Sequence, residues 1–181
     1  SYLVKGLAFH PAKKGTVYAG TAGDGLFRSA DGGLTFERLG SGMAAGWTER
    51  LWAPAGGTGP VFAQLAVGLF RMDGPGAWTE VREPFAEGEA AEVDGFVFDR
   101  AAPGKVYAHD SSSWWRSDDA GRRFTRVEVK GPGMKEMMKG SLAGPQFQSL
   151  AQDAGDARTF YAGSWSNRDP GTAVFRTTDA G

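Results

Sequence analysis

The chain has 181 residues and a formal net charge of −1, with acidic and basic residues mixed along its length, which excludes the electrostatic footprint of a general nucleic-acid binder. It has no cysteine, so disulfides and zinc–thiolate centres are excluded, and no apolar run approaches the roughly 18 residues a membrane-spanning helix needs. Glycine, at 28 residues, is about twice its ordinary share and accompanies six Trp and twelve Phe, a composition of short aromatic segments between tight turns.

Taken in chain order, the sequence repeats one order of parts. The first repeat has a short apolar strand at Leu7–Phe9, a second at Val17, Tyr18, Ala19, Gly20, and a third ending in Phe27 and Arg28. The second repeat has Leu51–Ala53, then Val61, Phe62, Ala63, Gln64, then Phe70 and Arg71. The third has Phe96–Phe98, then Val106, Tyr107, Ala108, His109, then Trp115 and Arg116. The fourth has a weaker Leu150 and Ala151, then Phe160, Tyr161, Ala162, Gly163, then Phe175 and Arg176. The aromatics of the aromatic–Arg pairs lie 43, 45 and 60 residues apart, so the unit is near 44 residues and the last carries an insertion. Helical periodicity is weak, and the one short helix expected is Gly133–Leu142, while Lys130, Lys135 and Lys139, interleaved with Met134, Met137 and Met138, read as a solvated loop with apolar anchors.

Alternating strands in units of this length describe one four-stranded antiparallel blade per repeat. The expectation is an all-β fold, a β-propeller divided into blades at 1–43, 44–88, 89–130 and 131–181. Each blade needs neighbours on both faces, so a single unit would not stand alone.

The turn after the third strand carries the most specific motif. Ser29, Ala30, Asp31, Gly32, Gly33, Leu34, Thr35 and Phe36 match S-x-D-x-G-x-T-[WF] in full, the Asp-box pattern. Ser117, Asp119, Gly121 and Phe124 keep all but the Thr; Thr177, Asp179 and Gly181 open a fourth copy at the end of the chain; the second copy, around Asp73 and Trp78, is one residue short. A carboxylate at such a turn accepts backbone N–H bonds, glycine supplies a positive φ, and the aromatic is expected to begin the outer strand and pack between blades. The carboxylates are therefore read as structural. Because the chain stops inside the fourth box, about 3.75 blades are expected, as part of a larger ring of roughly six to eight, with a four-bladed ring closed by the N-terminal residues as the alternative.

With these boxes and strand tetrads the chain resembles the Asp-box propeller superfamily, which includes sialidases, xyloglucanase-type glycoside hydrolases, sortilin-like receptors and photosystem II assembly factors. The resemblance implies a fold and leaves function to the site. The sialidase pattern F/Y-R-I-P is not met, since Phe27 and Arg28 are followed by Ser29 and Ala30, and the aromatic–Arg pair recurs in every repeat. A xyloglucanase-like mechanism would need two facing carboxylates, for which Asp24, Asp94, Asp110 and Asp169 are the loop candidates.

Function is expected in the loops at the end of the blades away from the boxes, where rigid strands hold variable residues. Trp47 and Trp165 are the tryptophans expected in loops and suit stacking on a sugar or packing on a partner, with Asn167 and Asp169 beside Trp165, and Asp110 in the polar loop after His109, as further candidates. Trp52, aligned with Phe9, and Trp78 are expected in the core. His10 and His109 have no ligand-spaced partners, so neither a metal site nor a catalytic triad is expected, nor any cofactor. The leading expectation is a non-catalytic binding or assembly module engaging a protein partner. The alternative is a carbohydrate-active propeller or a carbohydrate-binding module. An extracytoplasmic location, periplasmic or secreted, is expected, although Ser1–Lys5 lacks the regions of a signal peptide.

Overall fold

The computed structural model describes residues 3–10, 13–39, 47–54, 59–74, 77–82, 93–110, 113–127, 146–165 and 173–178, with the side chains of 146–148, 164, 165, 173 and 175 outside the description. The expected helix at Gly133–Leu142, the three lysines near it, and Asn167, Asp169, Asp179 and Gly181 lie outside the described residues. Among the described residues all regular structure is strand, in four antiparallel sheets whose strands neighbour one another in chain order. The first sheet is β1 (Val4–Phe9), β2 (Val17–Thr21), β3 (Leu26–Ser29) and β4 (Glu37–Leu39). The second is β5 (Thr48–Trp52), β6 (Phe62–Leu65), β7 (Gly68–Gly74) and β8 (Ala77–Val81). The third is β9 (Gly95–Phe98), β10 (Val106–His109), β11 (Trp114–Ser117) and β12 (Thr125–Arg126). The fourth has three described strands, β13 (Gln146–Gln152), β14 (Phe160–Trp165) and β15 (Ala173–Thr177).

The chain divides into two compact units, Ser1–Glu92 with Asp119–Arg123, and Val93–Asp118 with Phe124–Gly181. In the first unit, the pairing of Phe9 with Val17, Leu7 with Ala19, and Ala19 with Phe27 puts these residues on one face of the first sheet, called here the front. Tyr18, Leu26 and Leu39 occupy the back. That back packs on the front of the second sheet, where Val61, Ala63, Leu65, Phe70 and Trp78 are buried and Leu51, Ala53 and Met72 partly so. The middle strands read as continuous apolar tetrads because the residues of both of their faces are apolar; all five residues of β2 are buried. Each large side chain removed from water in this way stabilises the unit by about 1.5–3 kcal/mol.

The second unit repeats that contact. Tyr107, Trp114 and Val127 on the back of the third sheet meet Leu150, Phe160 and Ala162 on the front of the fourth. The Tyr107 and Phe160 rings lie 4.5 Å apart. Burial, together with the negative charge of Asp99, pushes the Tyr107 phenol up to about 12.

Two core expectations change. Register pairs Trp52 with Phe62, and Tyr18, the equivalent of Phe62, pairs with Ala8; Trp52 therefore matches Ala8 rather than Phe9 and is only partly buried. The box aromatics also divide: Trp78 and Phe124 are buried, whereas Phe36 is 44% exposed. Phe36 follows the register of Ser29 onto the front of the first sheet, and no sheet of the first unit covers that face.

At the loop after the first strand of a sheet, an acceptor at one repeated position gathers backbone N–H groups. In the third sheet it is Asp99 Oδ1, accepting from Ala101 and Ala102, and in the fourth Asp153 Oδ1, accepting from Gly155 and Asp156. The first sheet uses His10 Nδ1, which accepts from Lys13 N at 3.1 Å. Only a neutral imidazole can do so. Burial and then the charge of Lys13 lower the His10 pKa, so folding favours the neutral ring and the unfolded chain takes up the proton first. Stability from this ring is complete above the unfolded value of about 6.5 and is lost as pH falls below it. The expected result is a larger drop in melting temperature between pH 7 and pH 5 for the wild type than for His10→Asn, whose amide oxygen accepts at both pH values. Equal drops would remove His10 as the cause.

Candidate functional site

At one end of the sheets lie the box turns. Asp31 Oδ1 accepts from Leu34 N, Thr35 N and the Ser29 hydroxyl, while Oδ2 accepts the Thr35 hydroxyl at 2.5 Å. Ser29 Oγ also receives Gly33 N at 2.8 Å, and Gly32 and Gly33 take positive φ values of 82° and 97°. The Thr35 hydroxyl and amide, then the Ser29 hydroxyl, hold the Asp31 carboxyl well below the usual carboxylate range. Asp119 Oδ1 accepts from Arg122 N and Arg123 N in the third repeat, with Gly121 at φ 78°. The shortened second copy solves the same problem differently. Asp73 occupies a bulge in β7, where its carboxylate pairs with Arg71 and accepts the Thr79 hydroxyl across the hairpin. Thr177 lies at the end of β15, and Thr178 is the last described residue of the fourth copy.

Three of the four arginines of the aromatic–Arg pairs find acids within their own repeats: Arg28 with Glu37, Arg71 with Asp73, and Arg116 Nε with Asp118 Oδ2 at 3.2 Å. Such local partners suit separate roles better than a shared grip on one substrate carboxylate. The other carboxyls with lowered pKa are turn acceptors as well. Asp153 is held down by the amides of Gly155 and Asp156, and Asp156 by the amide of Arg158 and then the Thr159 hydroxyl. Among the described residues no group of three or more His, Cys, Asp or Glu is placed to hold a metal ion, and no helix is long and apolar enough to cross a membrane.

The opposite end of the first unit carries a different surface. Trp47, just ahead of β5, is 60% exposed, and its carbonyl accepts Ala66 N at 3.0 Å in the turn between β6 and β7. Its indole Nε1 lies against Gly23 in the turn between β2 and β3, close enough that an added Cβ there would sit 3.9 Å away. Leu3 accepts Ala22 N into the same group, and Lys5 Nζ stands 5.9 Å from the Trp47 ring centroid. Leu3 and Val67, in the segments that these hydrogen bonds join, are exposed. The result is an exposed aromatic ring with a cation over it, suited to stacking or to packing on a partner rather than to proton transfer.

Of the sequence candidates, Trp47 is thus placed in an exposed cluster. Asp110 instead closes its own loop, with Oδ1 accepting Ser113 N at 2.7 Å. Trp165 is the last residue of β14 rather than part of a loop, and its side chain is outside the description. Sequence reasoning missed Lys5, Leu3 and Val67. Lys5 is the extra residue of a bulge between Val4 and Gly6, and comparable bulges fall in β5 and β13. The available signal was positional: the residue before Gly6 matches Glu49, Asp94 and Gln148 in the other repeats, all polar.

Four antiparallel sheets joined in chain order, packed back to front within each unit, are blades of a β-propeller, the class to which this fold belongs. Known structures agree. An ancestral GH74 enzyme is similar over 96% of this chain and 24% of its own, at 16% identity and a TM-score of 0.67. YCF48 bound to a D1 peptide is similar over 94% and 48%, at 17% identity and a TM-score of 0.58. The extracellular domain of a putative hybrid two-component system from B. thetaiotaomicron is similar over 96% and 24%, at 14% identity and a TM-score of 0.56. At these identities the likeness is one of fold, and the chain spans between about a quarter and about half of the length of these proteins. No protein-family model matches the sequence, and none of the curated proteins matches it.

Proposed function

We propose that this chain is a non-catalytic binding module, an Asp-box propeller that engages a protein partner through the surface around Trp47. The observation that carries the reading is an exposed tryptophan with Lys5 over its ring, at the end of the sheets away from the box turns. Large aromatic side chains in such settings are the commonest anchors of protein interfaces. The box carboxylates Asp31 and Asp119 belong to the turns in this reading, since their described oxygens are engaged by donors of their own turns. Similarity to YCF48, whose structure holds a peptide, and to an extracellular sensor domain fits a binding role outside the cytoplasm.

A carbohydrate reading is kept because an exposed indole also stacks on sugars and the fold is shared with a GH74 enzyme. One experiment separates the two. Peptides selected from a random displayed library on the wild-type protein are compared with xyloglucan oligosaccharides, each against wild type and Trp47→Ala. The expected result is peptide binding weakened roughly 30-fold by the substitution, the scale of a 2 kcal/mol anchor. Saturable xyloglucan binding or cleavage, with no peptide that depends on Trp47, would reject the proposal.

A further inference from the structure

Ten large hydrophobic side chains are conspicuously exposed among the described residues, and six of them fall on two sheet faces. Val4 (49%), Leu7 (59%), Phe9 (71%) and Phe36 (44%) lie on the front of the first sheet; Tyr161 (37%) and Val174 (69%) lie on the back of the fourth. These faces correspond to the two sides of a contact the chain already makes twice.

Repeat alignment and register give the correspondence. Tyr161 occupies the tetrad position of Tyr18 and Tyr107, and Val174 the third-strand position of Leu26 and Trp114. Those residues form the backs that are covered in the first and second units. On the other side, Leu7 matches Leu51, Val4 matches Thr48, Phe9 matches Ala53 and Phe36 matches Trp78. Leu51, Ala53 and Trp78 belong to the front that receives Tyr18, Leu26 and Leu39. The exposed back therefore has the residue types that cover a front, and the exposed front has those that receive a back.

We propose that a second copy of this chain is the occupant, with the fourth sheet of one copy seated by its back on the front of the first sheet of the other. The contact is heterologous, because the two surfaces differ. It is continuous with the packing inside each unit, so it needs no new kind of interface. Each copy offers one such front and one such back, so a pair of copies can make this contact at one junction or at both. This inference is independent of any role for Trp47, which lies on neither face.

Sedimentation equilibrium and light scattering on the 181-residue chain test it, with Phe9→Glu and Val174→Glu as variants. Both residues are well exposed, so neither charge disturbs a packed core, and unchanged circular dichroism checks this. The wild type is expected to sediment at twice the monomer mass, and each variant alone at the monomer mass. An equimolar mixture of the two variants should regain association, because Val174→Glu keeps an intact front and Phe9→Glu an intact back. A monomeric wild type would overturn the proposal and leave both faces to further repeats of a longer polypeptide. Variants that remain dimeric would overturn it as well. A mixture that stays monomeric would overturn the front-to-back pairing.

Discussion

Replacing Tyr18 by alanine should destabilise the protein by about 3 kcal/mol or more, the range for removing a large aromatic from a packed core, whereas Tyr161→Ala should cost less than about 1 kcal/mol, the range of surface changes. The two residues hold the same position in their repeats, second in a tetrad of otherwise almost identical residues. Sequence alone gives them the same weight. Their environments differ, because Tyr18 is 1% exposed in the cluster with Leu26, Leu39 and the front of the second sheet, while Tyr161 is 37% exposed. Urea unfolding followed by tryptophan fluorescence reads both values, provided it is done dilute enough that the chain is monomeric. At higher concentration the cost of Tyr161→Ala should grow if a second copy covers that face. Equal costs for the two variants under dilute conditions would mean that the back of the fourth sheet is covered within the chain itself.

What could be read from the sequence was local. The tetrads announced middle strands because both of their faces are apolar, and glycine with aspartate announced the turns because the chemistry of a tight turn is contained in a few consecutive residues. The box around Asp31 was legible residue by residue for that reason: its hydroxyl, carboxylate and glycine partners all lie within four positions. Properties that depend on a neighbouring sheet were not legible. Phe36 and Trp78 carry the same motif role, yet only Trp78 has a sheet against its face. The extra residue at Lys5 in β1 recurs at Glu49 in β5, so Leu51, Trp52 and Ala53 keep step with Leu7, Ala8 and Phe9, and a match of Trp52 with Phe9 is one residue out of register. The Trp47 surface was half visible, since an exposed loop tryptophan could be suspected from its position. Lys5 reaches it only because β1 bulges there and the turns around Gly23 and Ala66 meet the segment ahead of β5.

Gly20→Ala should be costly for a reason outside its own backbone. The residue does not adopt a positive φ, so alanine suits its conformation. The obstacle is Thr48 at the start of β5. A Cβ on Gly20 would stand 2.6 Å from the Thr48 Cβ and 3.1 Å from its Oγ1, with the Cγ2 methyl nearer still. Thr48 is 1% exposed and lies where the front of the second sheet meets the back of the first, so it has no room to withdraw. Overpacking of this kind costs about 1–3 kcal/mol. Thr48→Gly should relieve it, because the clash includes the Cβ as well as the methyl. The double variant should therefore be more stable than the sum of the single losses, by an interaction energy of about 1 kcal/mol or more. Thr48→Val supplies a contrast: Thr48 Oγ1 is buried with no hydrogen-bond partner among the described residues, so replacing the hydroxyl by a methyl should leave stability unchanged or raise it. Urea midpoints of the four proteins in the cycle decide the matter. Strict additivity of Gly20→Ala and Thr48→Gly would show that this close approach does not set the spacing of the first two sheets, and the need for glycine at the end of the first tetrad would have to come from elsewhere.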